Sequence, residues 1–208
     1  MNAKFFDLKK EKQDRMINAI LKVFAANGYE HASTDEIVRE AGISKGLLFH
    51  YFGSKLGAYT FACDYSVKYM TLEFKATVSE TETDLFEVLK QIECARMHAM
   101  RGYPHMQLFL NRSLNEDVGE ALFAVEESRN AIMDLYDTAC SGINYEAFGS
   151  NEEGIRLRRV LELFLKGLME ERFREGSFQP EMFYQEAVGY LDMMRRITMP
   201  GNHHLAAL

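Results

Sequence analysis

Between Lys45 and Lys55 the chain reads KGLLFHYFGSK, a run whose residue types suit contact with a nucleic-acid duplex. Phased as a helix at about 100° per residue, Leu48 and Phe52 fall within about 40° of each other and face inward. The opposite side then carries Gly46, Leu47 and His50, with Phe49 and Tyr51 on its flanks and no acid among them. A glycine admits close backbone approach, and the neighbouring groups are apolar, aromatic or imidazole. Lys45 falls in the first turn, where a helix N-terminus already favours phosphate. Lys55, with the amides that follow Ser54, makes a second place suited to an anion. The same residues would also serve as the solvated face of an ordinary helical hairpin, and short matches of this kind arise by chance.

A second constellation is Cys94 and His98, four residues apart on one helical face, with Glu93 and His105 nearby in sequence. Two ligands at that spacing can share a metal, but a site needs three or four. A buried cysteine beside a half-exposed histidine explains the pair as well. His203 and His204 form a weaker pair. No GxSxG, P-loop or dinucleotide glycine pattern occurs. The other readings that stay open are a helical enzyme or metal-binding protein using the Cys94/His98 region, or a helical partner-binding adaptor without the duplex contact. The three cysteines are odd in number and show no CxxC spacing, so a disulfide framework is not expected.

The elements that position the first constellation are legible from caps and periodicity. Ser33 is an N-cap, with Glu36 three residues later completing a capping box. Ile37, Val38 and Ala41 recur at helical spacing, and Gly42 ends that helix. Ser44 caps a second short helix over Lys45–Phe52, and Gly53 and Ser54 stop it. Two short helices joined by a glycine-containing turn form the helix-turn-helix signature. Ahead of them, Ile17, Ile20, Leu21 and Phe24 make one apolar face of a helix over 9–26, ended by Gly28. Residues 1–8 read as a loose lead from which Phe5 and Phe6 could pack.

The run from Met16 to Phe61 resembles the DNA-binding domain of the TetR family of bacterial transcriptional regulators. The matching pieces are the apolar first helix ending in NGY, the AGISKG turn, and FHYF followed by GSK. The resemblance in motif covers about the first quarter of the chain; beyond it the agreement is in length and helical layout. It implies that Ser33, Thr34, Lys45, Gly46, Leu47, Phe49, His50, Tyr51 and Lys55 meet DNA. Two positions depart from the family's habit. Phe49 lacks a hydroxyl frequent there, and Leu47 replaces a small hydroxyl residue, which favours a thymine methyl over a polar base edge. The resemblance further implies a ligand-responsive repressor that binds a pseudo-palindromic operator as a homodimer and is released by a small effector. It makes the helix beginning at Ser54 the mechanical link between the two parts.

The rest of the chain predicts an all-α protein of about nine helices, with a helix-turn-helix head over 1–53 and a ligand-binding and dimerisation body over 54–208. Its helices are expected over 54–78, 84–101, 105–114, 118–140, 152–175 and 180–197, with a loop at 141–150. Met97, Met100, Met106, Phe109, Phe123, Met133, Tyr136 and Phe164 are bulky and adaptable, and together with the family's habit of an enclosed pocket they predict a site for a small apolar or aromatic effector. The last two helices carry more apolar surface than one core can cover. Val160, Phe164, Leu165, Leu168, Ala187, Leu191 and Met194 are therefore the expected dimer interface.

Net charge is −7, which argues against a protein that coats nucleic acid generally. The charge is uneven: residues 1–60 hold nine Lys/Arg against seven Asp/Glu, and the remainder fifteen against twenty-four. A mildly basic end on an acidic body fits DNA contact by one end only. No stretch is long and apolar enough to span a membrane, and the N-terminus lacks the apolar core of a signal peptide. The expectation is a cytoplasmic protein with no cofactor and no metal.

Overall fold

The computed structural model describes residues 3–176 and 178–199. Among them are ten α-helices and no strand: α1 (Lys10–His31), α2 (Thr34–Ala41), α3 (Lys45–Phe52), α4 (Lys55–Thr77), α5 (Leu85–Gly102), α6 (Met106–Ser113), α7 (Gly119–Ala124), α8 (Glu126–Cys140), α9 (Asn151–Arg174) and α10 (Pro180–Thr198). Short 3-10 turns cover Ala3–Phe5 and Tyr145–Phe148. The all-helical class with a helix-turn-helix head is as expected. His203 and His204 lie outside the described residues.

Two departures have physical causes. The single helix expected over 118–140 is broken at Val125 (φ −117°, ψ 12°) into α7 and α8. Val125 is buried, Ser128 Oγ donates to Asp64 Oδ1, and Arg129 Nη2 donates to the Leu114 carbonyl at 2.9 Å. These long-range bonds fix the start of α8 against local helical preference, which is a weak prior. The loose lead expected over 1–8 is also partly ordered. Phe5 is fully buried, with its ring 5.2 Å from Phe52, 5.3 Å from Phe61 and 5.6 Å from Tyr51.

The described residues pack as two compact units, those up to 73 with 98–135, and 74–97 with those from 136 onward. This is a division by packing. The division by role, at residue 53, remains a proposal.

In the first unit α1 packs along α2 and α6. Its helical geometry is interrupted at Gly28 (φ 69°), where the chain reverses enough for Tyr29 to fold back. Tyr29, Phe24, Tyr59 and Phe109 form one aromatic cluster, with Phe24–Tyr59 at 4.9 Å and Tyr59–Phe109 at 5.6 Å. Such pairs add about 0.5–1.5 kcal/mol each beyond the area they bury.

In the second unit α9 packs against α10, and Leu161, Leu165, Leu168 and Met169 on the first and Phe183, Ala187 and Leu191 on the second are all buried. Arg172 grips Glu186 with two bonds of 2.6 and 2.8 Å. Ser150 caps α9 by accepting from Glu153 N at 3.2 Å, and Pro180 opens α10, where its missing N–H costs nothing. Arg195 on α10 reaches Asp84 at 2.6 Å and Glu87 at 2.7 Å, tying α10 to α5.

Candidate nucleic-acid interface

The turn between α2 and α3 is built by its caps. Ser33 Oγ accepts from Asp35 N at 3.2 Å, opening α2. The capping box is not reciprocal as expected, because the Glu36 carboxylate accepts from Asn27 Nδ2 at 3.4 Å. Gly42 ends α2 in the left-handed region (φ 62°), and Ile43 N donates to the Val38 carbonyl at 3.0 Å. Ser44 Oγ then accepts from Leu47 N at 3.2 Å, opening α3. Leu48 and Phe52 are buried, as the phasing requires. The α3–α4 junction depends on one glycine: a Cβ on Gly57 would sit 1.9 Å from the Phe52 carbonyl oxygen.

This leaves a defined outward face. Ser33, Lys45, Gly46, Phe49 and His50 are exposed, and Thr34, Leu47 and Lys55 are half-buried. Tyr51 differs from the others, since it is only 8% exposed. Its ring packs on Phe5 at 5.6 Å and meets the His50 imidazole edge-on at 5.0 Å, so it supports the face more than it forms it.

The two lysines stand differently. Lys45 Nζ pairs with the Asp35 carboxylate at 2.9 Å, both side chains well exposed. A surface pair of this kind is worth about 0–1 kcal/mol and yields readily to a phosphate. Lys55 Nζ donates to the Glu30 carbonyl at 2.9 Å and lies 4.8 Å over the Tyr29 ring. Tyr29 is itself held, its backbone N–H donating to Glu116 Oε2 at 3.0 Å and its hydroxyl to Glu120 Oε1 at 2.7 Å. Burial, and then the bond to Glu120, push the Tyr29 hydroxyl up to about 12. The role of Tyr29 as a node between α1, the start of α4 and the start of α7 was not read from the sequence, because Glu116 and Glu120 lie 87 and 91 residues away.

The other expected sites are dispersed. Met100, Met106 and Phe109 are buried in the first unit, where Phe123 (83%) and Met133 (52%) are exposed. Met97 is buried and Tyr136 half-buried in the second unit, where Phe164 is exposed. Of the expected dimer-interface residues, Leu165, Leu168, Ala187 and Leu191 lie inside the chain's own core, Met194 is half-buried, and Val160 and Phe164 are exposed. The apolar residues left outside on these two helices include Ile155, Leu163, Met193 and Ile197, none of them among the expected interface residues. Cys94 and His98 fall in different units. His98 Nδ1 lies 3.7 Å from Glu73 Oε2, and among the described residues no group of three His, Cys, Asp or Glu is placed to hold a metal. No helix among them is long and apolar enough to cross a membrane.

Residues 16–57 match the sequence profile of the bacterial regulatory proteins of the tetR family. TtgW of Pseudomonas putida, an uncharacterized HTH-type transcriptional regulator, is 43% identical over 47 residues, which are 23% of this chain and 35% of that protein. YuxN of Bacillus subtilis, another such regulator, is 48% identical over 46 residues, 22% of this chain and 16% of that protein. The aligned stretch thus spans about a third or less of these curated relatives. Among solved structures, a TetR family transcriptional regulator from Chloroflexus aurantiacus covers 96% of this chain and 97% of its own at a TM-score of 0.65 and 19% identity. FadR of Bacillus subtilis, in complex with stearoyl-CoA, covers 85% and 96% at 0.57 and 13%. At such identities the likeness is one of fold, and it extends over both units.

Proposed function

We propose, from the premise that this chain belongs through its head to the TetR family of bacterial regulators, that it is a ligand-responsive transcriptional repressor. It binds a pseudo-palindromic operator as a homodimer and is released by a small apolar or aromatic effector. The observation that carries this reading is the outward face of α3. Inside a head matched by the family profile, Gly46, Phe49 and His50 are exposed beside Leu47, and Lys45 sits in the first turn in a weak surface pair with Asp35. In this reading Gly46, Leu47, Phe49 and His50 approach base edges, while Ser33, Thr34, Lys45 and Lys55 position the head on phosphates and Tyr51 supports the face from behind.

The dimer is supported by the outer face of α9 and α10. Val160, Leu163 and Phe164 on α9 and Met193 and Ile197 on α10 recur at helical spacing and stay exposed in the single chain. Two such pairs, related by a two-fold axis, bury that surface as a four-helix interface. An effector site is supported by the neighbour of the same fold in complex with stearoyl-CoA, a ligand with a long apolar chain. A cytoplasmic location and the absence of enzymatic activity belong to the same reading.

The test separates two kinds of contact. Lys45→Ala is expected to weaken binding to every duplex and to flatten the salt dependence by about one unit of slope per lost phosphate contact per subunit. Leu47→Ala and His50→Ala are expected to change which sequence is preferred. Fluorescence anisotropy against matched duplexes measures both. An unchanged salt slope in the Lys45 variant, with unchanged preference in the other two, contradicts the assignment of α3.

A further inference from the structure

Glu93 and Arg96 lie one turn apart on α5, within the second unit. Glu93 is 1% exposed, and its neighbours Ile92, Ala95 and Met97 on the same helix are buried and apolar. One carboxylate oxygen, Oε1, accepts from Arg96 Nη1. The other, Oε2, is buried and has no hydrogen-bond partner among the described residues. Arg96 Nε donates to the Tyr136 hydroxyl at 3.1 Å, its guanidinium lies 4.7 Å over the Tyr136 ring, and Phe74 meets that ring edge-on at 5.0 Å.

Stability does not explain this arrangement. Replacing a buried ion pair by well-packed apolar groups is often neutral or stabilising. A buried carboxylate oxygen with no donor adds an uncompensated desolvation cost, and native proteins keep few such atoms. What the arrangement does provide is a fixed acceptor, oriented by Arg96 on a helix whose neighbouring side chains Ile92, Ala95 and Met97 are buried and apolar.

We propose that Glu93 Oε2 is the polar anchor of the effector site, accepting a hydrogen bond from the hydroxyl or amide N–H of a neutral, otherwise apolar or aromatic molecule. The inference rests on the reading of the body as an effector-binding module. Charge selects the ligand class. The Glu93–Arg96 pair sums to zero, so a cation would add an unbalanced charge beside Arg96 and an anion one beside Glu93, each in a buried place. A neutral donor leaves the balance intact. Burial raises the Glu93 carboxyl while Arg96 opposes that shift, and ionisation of both is what keeps Arg96 from being a lone buried cation.

Calorimetry with the full-length protein tests this without any variant. The probes are phenol and 1-naphthol, their methyl ethers anisole and 1-methoxynaphthalene, and the ions 1-naphthoate and 1-naphthylmethylammonium. The expected result is that at least one phenol binds about ten-fold tighter or more than its ether, with both ions weaker than 1-naphthol. In Glu93→Gln the amide keeps an acceptor for Arg96 and turns N–H donors towards the ligand, which phenol and ether oxygens both accept, so the preference for the phenol should disappear. Equal affinity for phenol and ether in the unmodified protein overturns the anchor and leaves the effector reading standing. Binding of neither class at millimolar concentration overturns both. Preference for either ion overturns the charge argument and the proposal with it. Operator binding, measured without probe, reports separately on the DNA-binding reading.

Discussion

In α3 the apolar residues Leu48 and Phe52 are buried, and the exposed face is made of Lys45, Gly46, Phe49 and His50. In α9, Leu161, Leu165 and Leu168 are buried, yet the exposed face still carries Ile155, Val160, Leu163 and Phe164. The first helix is explained by one chain: its inner face closes a core and its outer face is fit for water or a duplex. The second is not, because an apolar stripe on each side needs two surfaces to bury it. The lesson is that a helix with one apolar face can be phased from its own residues. A helix with two must be placed by its neighbours before anyone can say which face meets the partner.

The largest effects should come from the face of α9 and α10 that the chain covers itself. Leu191→Asp puts an unpaired charge into a fully buried place, and it is expected to cost more than about 4 kcal/mol and to prevent folding. Phe164→Asp, on the 40% exposed side, should leave a helical chain by circular dichroism and yield a monomer by light scattering. A helical monomer from the first variant, or an undisturbed dimer from the second, would reverse the assignment of the two faces.

The next effect sharpens the other half of the comparison. Gly57→Ala places a Cβ 1.9 Å from the Phe52 carbonyl oxygen, so the α3–α4 junction must shift. The expected cost is about 1–3 kcal/mol in denaturant melts, with a loss of operator binding larger than that of Lys45→Ala. Full operator affinity in this variant would mean that the placement of α3 against α4 does not matter for DNA contact.

Smaller again is the effect at Tyr29. Tyr29→Phe removes the 2.7 Å bond to Glu120 and should cost about 0.5–1.5 kcal/mol. The sign of its pH dependence is fixed. The folded hydroxyl is pushed up to about 12 from an ordinary value near 10, so the protein holds the neutral form. That stability is fully present below about pH 10 and is lost as pH rises through about 12. The Tyr29→Phe protein should therefore lose less stability than the unmodified one across that window in denaturant melts, and equal losses would remove Tyr29 from the node.

Much of this was legible in the sequence, and the limits were physical. Caps at Ser33 and Ser44, the Gly42 turn and the inward pair Leu48 and Phe52 are local, so the head could be drawn residue by residue. The break at Val125 was not, because it depends on Ser128 reaching Asp64 and Arg129 reaching Leu114 across long separations. Tyr51 read as a flank of the outward face, but Phe5, from the supposed loose lead, covers it. Among the bulky residues chosen for an effector site, Met106 and Phe109 are buried while Phe123 and Met133 are exposed. Residue type alone does not say which side of a helix faces a core. Glu93 stood out in the sequence only as a neighbour of Cys94 and His98, and it is burial beside Arg96 that makes its second carboxylate oxygen conspicuous.

The most direct test of the central claim is selection of bound duplexes from a random-sequence pool by the full-length protein, followed by sequencing and light scattering of the complex. The account predicts enrichment of a pseudo-palindrome whose half-sites are related by a two-fold axis, bound by a dimer with steep salt dependence. Enrichment of no sequence, or binding of a single half-site by a monomer, would contradict it.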